Sequence, residues 1–260
     1  MKNLVEDFYD PDLFDQEIGA SDDAYTIVKY VKFVGEIPSS VVDIGAGTGR
    51  LAIRLLSAGH NVICIDRSER MLQALRAKTL KLEGAHERLA IHCEPFGKNV
   101  RYARQSCAVA PDDFLLHFLT TDELRDFFDN ASSWLQPGAQ LLTNIRTRDF
   151  LLESPIQPDM IVKTHGLQAF SGGYCQVYFS EELDHYSRVL TTHFDYRFTG
   201  SDGVLISEKH RILRQRIHLH EEILLSAKAS KFYVVRHEQE GSVRVTPSHA
   251  QGWYTFEYRP

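Results

Sequence analysis

From residue 40 onward the chain alternates short apolar runs with amphipathic stretches. Val41-Val42-Asp43-Ile44 is an apolar run of strand length, and Gly45-Ala46-Gly47-Thr48-Gly49 turns it into residues 50–58. There the apolar positions recur at helical spacing until Gly59 stops them. Val62-Ile63-Cys64-Ile65-Asp66 is a second apolar strand, and residues 68–82 form a second helix with Ser68 as its N-cap. Residues 89–93 and 106–110 are strand candidates three and four. Thr120 and Glu123 have capping-box spacing and open a helix to residue 135, after which Pro137-Gly138 turns into a fifth strand, 140–145. Strands and helices alternating through short links predict a parallel, doubly wound sheet.

Beyond Arg146 the pattern changes. Residues 160–165, 174–179, 183–198 and 204–218 alternate polar with aromatic or aliphatic positions, which is strand periodicity. The link from Thr199 to Gly203 ends in Asp-Gly and has hairpin chemistry. This region reads as an antiparallel sheet placed over the core. A helix at 221–229 follows, and strands at 232–237 and 253–258 close the core sheet as a terminal hairpin. The expected fold is therefore α/β, with a doubly wound, mostly parallel seven-stranded sheet. Residues 1–35 form an N-terminal helical cap, 36–150 and 219–260 the core, and 151–218 an antiparallel cover inserted after the fifth strand.

Composition narrows the class. The chain has 260 residues, 43% hydrophobic, 25% charged and 11% aromatic, which excludes disordered, collagen-like and disulfide-scaffold proteins. With 29 Lys and Arg against 35 Asp and Glu, the net charge of -6 argues against a nucleic-acid partner. No apolar run approaches the ~20 residues of a membrane span. The first residues turn acidic at Glu6 and Asp7, unlike a signal peptide. Cys64, Cys93, Cys107 and Cys175 form no CxxC pair and read as reduced thiols of a cytoplasmic enzyme. His218, His220, His237 and His249 have no Cys partner and no HExxH arrangement, so no metal is expected.

The glycine turn carries the chemistry. Free N–H groups and a helix N-terminus meet there, which suits a carboxylate or phosphate. Asp66, at the end of the next strand, can accept both hydroxyls of a ribose. The pattern GxGxG, with an acid two residues before the first glycine, resembles the class I S-adenosylmethionine (SAM)-dependent methyltransferases. Val41 to Gly49 is similar to their first motif and Val62 to Leu72 to their second. The resemblance implies a Rossmann-like core that holds SAM and releases S-adenosylhomocysteine. It assigns the cofactor to Asp43, Gly45, Ala46, Gly47, Gly49, Asp66, Arg67 and Met71. Glu94 and Phe96 fall where relatives contact the adenine. Tyr9, within an N-terminal aromatic segment, matches the tyrosine that closes over SAM.

The segment from Ala110 to His117 follows the fourth strand, at the edge where open α/β sheets bind ligands. In the family it lines the methyl-transfer site, with the Ala110 backbone toward the sulfonium. Asp112 would attract the substrate. His117, aided by Asp113, is the candidate proton acceptor. The cover sheet resembles that of small-molecule N-methyltransferases, including those acting on amino sugars, and makes Tyr178, Tyr186 and Tyr196 candidates for substrate contact. The expected activity is methyl transfer to a small amine or hydroxyl compound of specialised metabolism, with room for a homodimer through the cover sheet. The alternatives are a SAM-binding protein that transfers nothing and a methyltransferase of peptides.

Overall fold

The computed structural model describes residues 10–19, 24–37, 39–96, 104–146, 156–168, 173–240 and 251–260. Two N-terminal helices, α1 (Pro11–Gly19) and α2 (Ala24–Val34), precede the sheet. Then follow β1 (Ser40–Ile44), α3 (Arg50–Ser57), β2 (Asn61–Asp66), α4 (Glu69–Thr79), α5 (Ala85–Arg88), β3 (Leu89–Cys93) and β4 (Gln105–Ala110). A 3-10 turn (Phe114–His117) leads to α6 (Thr121–Trp134) and β5 (Leu135–Arg146). Ser68 caps α4, accepting from the Met71 N–H, and Thr120 and Glu123 form the reciprocal capping box of α6.

The core sheet runs β3-β2-β1-β4-β5-β11-β10, where β10 is Phe232–Glu240 and β11 is Gln251–Tyr258. β1 to β5 are parallel, and β11 lies antiparallel between β5 and β10. Alternation along each strand feeds two cores. Val41 packs with α2, α3 and α4 on one face, while Val42 and Ile44 pack with α6 and α7 (His220–Ala229) on the other. The second face is aromatic: Phe127, Phe128 and Trp134 of α6 are fully buried, and truncating one such ring costs about 3–5 kcal/mol.

The second sheet, β6-β7-β8-β9, is antiparallel and sits in the chain between β5 and α7. Its strands are β6 (Ile161–Gln168), β7 (Tyr174–Asp184), β8 (Val189–Thr199) and β9 (Leu205–Arg216). The pattern expected over 183–198 is not one strand. β7 continues to Asp184, and a turn at 185–188 divides it from β8. No glycine or proline marks that turn. Asp184 makes it instead, accepting from the N–H groups of Tyr186 and Ser187 and from the Ser187 hydroxyl, with Arg188 at φ +57°. Among the described residues no helix is long and apolar enough to cross a membrane.

Candidate active site

The glycine turn joins β1 to α3 at the carboxyl edge of the sheet. Gly45 and Ala46 donate to the Ile65 carbonyl at 2.8 and 3.1 Å, which ties the turn to β2. Two of its glycines are forced. Gly49 caps α3 at φ +84°, and a Cβ there would lie 2.0 Å from Leu75 of α4. Gly45 has φ +74°, and its Cβ would lie 2.5 Å from the Phe114 ring, so the turn interlocks with the segment after β4.

Three carboxylates surround this turn. Asp66 is half-buried and accepts from the N–H groups of Gly47 and Ser68, each at 2.8 Å. Burial raises its pKa, and those two amides oppose the rise. Asp43 is 0% exposed, and neither carboxylate oxygen makes a well-formed hydrogen bond among the described residues. Burial first, then the charges of Asp112 and Asp66, push its pKa up to about 7, while the Ala52 amide works the other way. Asp112 is 43% exposed in its side chain and pairs with Arg50.

The segment after β4 is strained and heavily tied. Asp112 and Asp113 both hold left-handed φ, +59° and +60°, which non-glycine residues adopt at a cost. Their amides donate to Asn144, Asp112 to the side-chain oxygen at 3.1 Å and Asp113 to the carbonyl at 3.2 Å. The same Asn144 oxygen accepts from the buried Tyr30 hydroxyl. The Ala110 carbonyl accepts from Thr143 at 2.6 Å and from Tyr30 at 3.4 Å. Both Asp113 oxygens are engaged by Arg146. One accepts from the Arg146 N–H at 2.5 Å and the other from Arg146 Nε at 2.7 Å. Arg146 also donates to Gln215 of β9 at 2.6 Å, joining the core edge to the cover.

His117 ends the 3-10 turn. Burial, then the Arg67 guanidinium, lowers its pKa to about 4, with Asp113 opposing. Its imidazole is neutral at pH 7 and weakly basic. Arg67 itself is exposed, and Met71 is buried with its methyl beside Gly47. Glu94 follows β3, its amide donating to the Asp66 carbonyl at 3.0 Å. Phe96 belongs to the aromatic core, with ring centroids 4.6 Å from Trp134 and 5.1 Å from Phe127.

The cover tyrosines part company. Tyr196 lies on the face that packs against Leu13 of α1, with Val177 and Phe194, and is 4% exposed. Tyr178 lies on the opposite face, cross-strand from Asp195, with the Arg197 guanidinium 4.4 Å over its ring. Tyr186, at the tip of the 185–188 turn, is 97% exposed and lines no wall. Strand alternation and the unforeseen turn account for both departures. Tyr9 lies outside the described residues. Helix α1 spans the two sheets. Asp15 accepts from the Thr48 hydroxyl at 2.6 Å and pairs with Lys78 at 2.5 Å, and Asp10 pairs with Arg70 at 3.2 Å. Glu17 reaches Lys163 of β6 at 3.4 Å.

Among the described residues no group of three His, Cys, Asp or Glu could hold a metal. His218 and His220 do not share a strand face. His218 is buried and donates to the Leu115 carbonyl at 3.1 Å, and His220 opens α7 and pairs with the Tyr254 hydroxyl at 2.9 Å. His249 lies outside the described residues. Sequence reasoning missed Tyr30, Arg50, Phe114, Asn144 and Arg146. Asn144 and Arg146 had a signal, as polar residues ending an otherwise apolar strand. The others had none, because their partners are distant in sequence.

Residues 41–138 match the methyltransferase domain family. A curated Geobacillus protein named as a methyltransferase is 29% identical over 111 residues, which are 41% of this chain and 42% of that protein. The match thus spans under half of that relative's length. The fold extends further. The CcbJ methyltransferase of Streptomyces caelestis superposes with TM-score 0.75 at 18% identity, covering 98% of this chain and 99% of its own. DesVI of Streptomyces venezuelae gives 0.74 at 14%, covering 96% and 100%. The sugar N-methyltransferase KedS8 of Streptoalloteichus gives 0.73 at 16%, covering 97% and 94%. Residues 41–138 thus match a methyltransferase domain, and the chain as a whole shares the fold of these methyltransferases, for which the sequence motifs imply SAM as the cofactor.

The residues present fit that cofactor. SAM carries a sulfonium and an ammonium, and the turn offers the buried carboxylate of Asp43, which lacks a well-formed hydrogen bond, among two further acids. The N-terminus of α3 suits its carboxylate, while the glycine amides are spent on the Ile65 carbonyl, Asp66 and the Ala46 carbonyl.

Proposed function

We propose that the chain methylates a small-molecule amine, with an amino sugar as the leading substrate class. The observation that carries this reading is the weakness of the base at the post-β4 segment. His117 is held near pKa 4 and both oxygens of Asp113 are occupied by Arg146. A hydroxyl acceptor must lose its proton as the bond forms and gains ~10²–10⁴-fold from a positioned base, whereas an amine deprotonated in solution needs none. The sugar N-methyltransferase KedS8 shares this architecture.

SAM supplies a methyl already activated by its sulfonium. The chain's own residues contribute binding, alignment and exclusion of water. Asp66 and the glycine turn would hold the cofactor, and the buried carboxyl of Asp43 would balance its positive charge. Tyr30, Asn144 and Arg146 hold Asp112 and Asp113 in their strained conformation, which fixes the edge that meets the acceptor. Asp112 draws the ammonium form toward the edge by charge, solvent water takes the proton, and the neutral amine is the form that reacts. Residues 151–218 act as the substrate cover, with Tyr196 and Phe194 on its inward face.

Incubation with methyl-labelled SAM and matched amino and hydroxy sugars tests the reading. Label should enter the amines, with a rate that rises toward the amine pKa. Transfer only to hydroxyls, only to peptides, or to nothing despite SAM binding would overturn it. An Asp66→Ala variant should lose SAM affinity, and unchanged affinity would remove Asp66 from the cofactor site.

A further inference from the structure

A cavity of about 370 Å³ lies between α2 and the β10–β11 hairpin, separate from the turn-and-carboxylate site. Its volume falls within the ~300–1,000 Å³ of small-ligand pockets. Tyr25, Val28 and Phe33 of α2 give it an apolar wall, and Tyr25 and Val28 are 45% and 59% exposed. Lys29, Lys32, Arg236 and Glu238 give it charge.

The sequence of β10 aims two of these groups deliberately. Phe232 and Val234 pack on the α6–α7 face, and regular alternation would send Arg236 and Glu238 there as well. A bulge between Val234 and Arg236 shifts the register, pairing Arg236 with Thr255 and Glu238 with Trp253. Both charged residues thereby turn to the α2 face and line the cavity. Glu238 is neutralised there. It accepts from Lys29 at 2.9 Å and pairs with Arg236. Lys32 forms no ion pair among the described residues, so three cations face one carboxylate on a chain whose net charge is -6. A positive concavity with an apolar wall on an acidic protein selects anions.

We propose that this cavity binds a small organic anion with an apolar or aromatic body, the body lying on Tyr25, Val28 and Phe33 and the anionic end between Lys32 and Arg236. A relay of contacts links the pocket to the active site. Lys29 lies 4.2 Å over the Trp253 ring, Trp253 meets the Tyr30 ring at 5.2 Å, and the Tyr30 hydroxyl bonds the Asn144 oxygen that holds Asp112. Occupancy that shifts Lys29 or Trp253 therefore biases the segment after β4, and SAM must alter anion affinity by the same factor. The binding claim is independent of the proposed acceptor.

The test is calorimetry with naphthalene-2-sulfonate as probe, with 1-naphthylmethylammonium as the charge-reversed control and sulfate as an anion without a body. Wild type should bind the sulfonate saturably at one site and neither control. The surface variants Lys32→Glu and Arg236→Glu should each weaken binding at least tenfold while keeping wild-type circular dichroism. Fluorescence of Trp253 should respond to the sulfonate, and a Trp253→Phe variant should lose that response. Equal affinity in the charge-reversed variants, equal binding of the ammonium control, or occupation of the face by a second copy in sedimentation would overturn the proposal. A SAM affinity unchanged by saturating sulfonate would overturn the coupling and leave the pocket standing.

Discussion

The buried carboxyl of Asp43 makes a quantitative prediction about pH. Its pKa rises from 3.8 to about 7 because it is removed from water next to Asp112 and Asp66. At ~1.36 kcal/mol for each tenfold change, that shift corresponds to about 4 kcal/mol. Below pH 4 the group is protonated in both folded and unfolded chains and contributes nothing. Between pH 4 and 7 the unfolded chain releases the proton and the folded chain keeps it, so folding loses stability as pH rises. Above pH 7 the loss is complete. His117 and His218, both lowered to about 4, act in the opposite sense, since folding loses stability as pH falls below their unfolded value near 6.5. The absolute pH profile mixes these effects, and the difference between wild type and Asp43→Asn isolates one of them. Urea unfolding at each half-unit from pH 4 to 9 should show the variant gaining on wild type up to pH 7, by about 4 kcal/mol, and then a plateau. SAM binding to wild type at pH 6 should release protons, seen as buffer-dependent heat, and the variant should not. A variant that is less stable than wild type at pH 8, or a difference that stays flat across pH, refutes the account of a desolvated carboxyl waiting for a cation.

Three further outcomes are expected. His117→Gln should change kcat on an amine acceptor by less than about tenfold and leave its pH profile in place, against ~10²–10⁴ for a lost base. Arg146→Met releases Asp113 and Gln215, so unfolding free energy should fall by about 1–3 kcal/mol and acceptor KM should rise while SAM affinity holds, checked by urea denaturation and steady-state kinetics. Tyr186→Ala should leave kcat/KM within about twofold and stability within ~0.5 kcal/mol, because the ring touches only solvent.

The elements that sequence revealed are those whose signals are local. The glycine turn, Asp66, the Ser68 and Thr120 caps and the alternation of β7 and β8 each lie within one short window. The tyrosines show where local reading ends. Period-two alternation says that half of a strand faces inward but not which half, and Tyr178 and Tyr196 fell on opposite faces. The turn after Asp184 has no glycine or proline, so its position depended on a side chain bonding its own backbone. Asp113 stood out because a carboxylate on an apolar stretch is costly without a partner. Its partner, Arg146, stands 33 residues away, and only the parallel pairing of β4 with β5 brings the two together.

The position of β11 bears on how the chain is made. This strand is the last of the described strands in chain order, yet it lies between β5 and β10 and supplies hydrogen bonds to both. On the ribosome, β5 emerges about a hundred residues earlier, which at ~5–20 residues per second is on the order of ten seconds. For that interval β5 presents an open strand edge, and β10 emerges with no partner at all. Such edges template pairing with other chains. Vectorial synthesis therefore leaves the nascent chain with an exposed seam that stays open until β11 emerges, and cutting into β11 would release an aggregation-prone polypeptide rather than a slightly shorter enzyme.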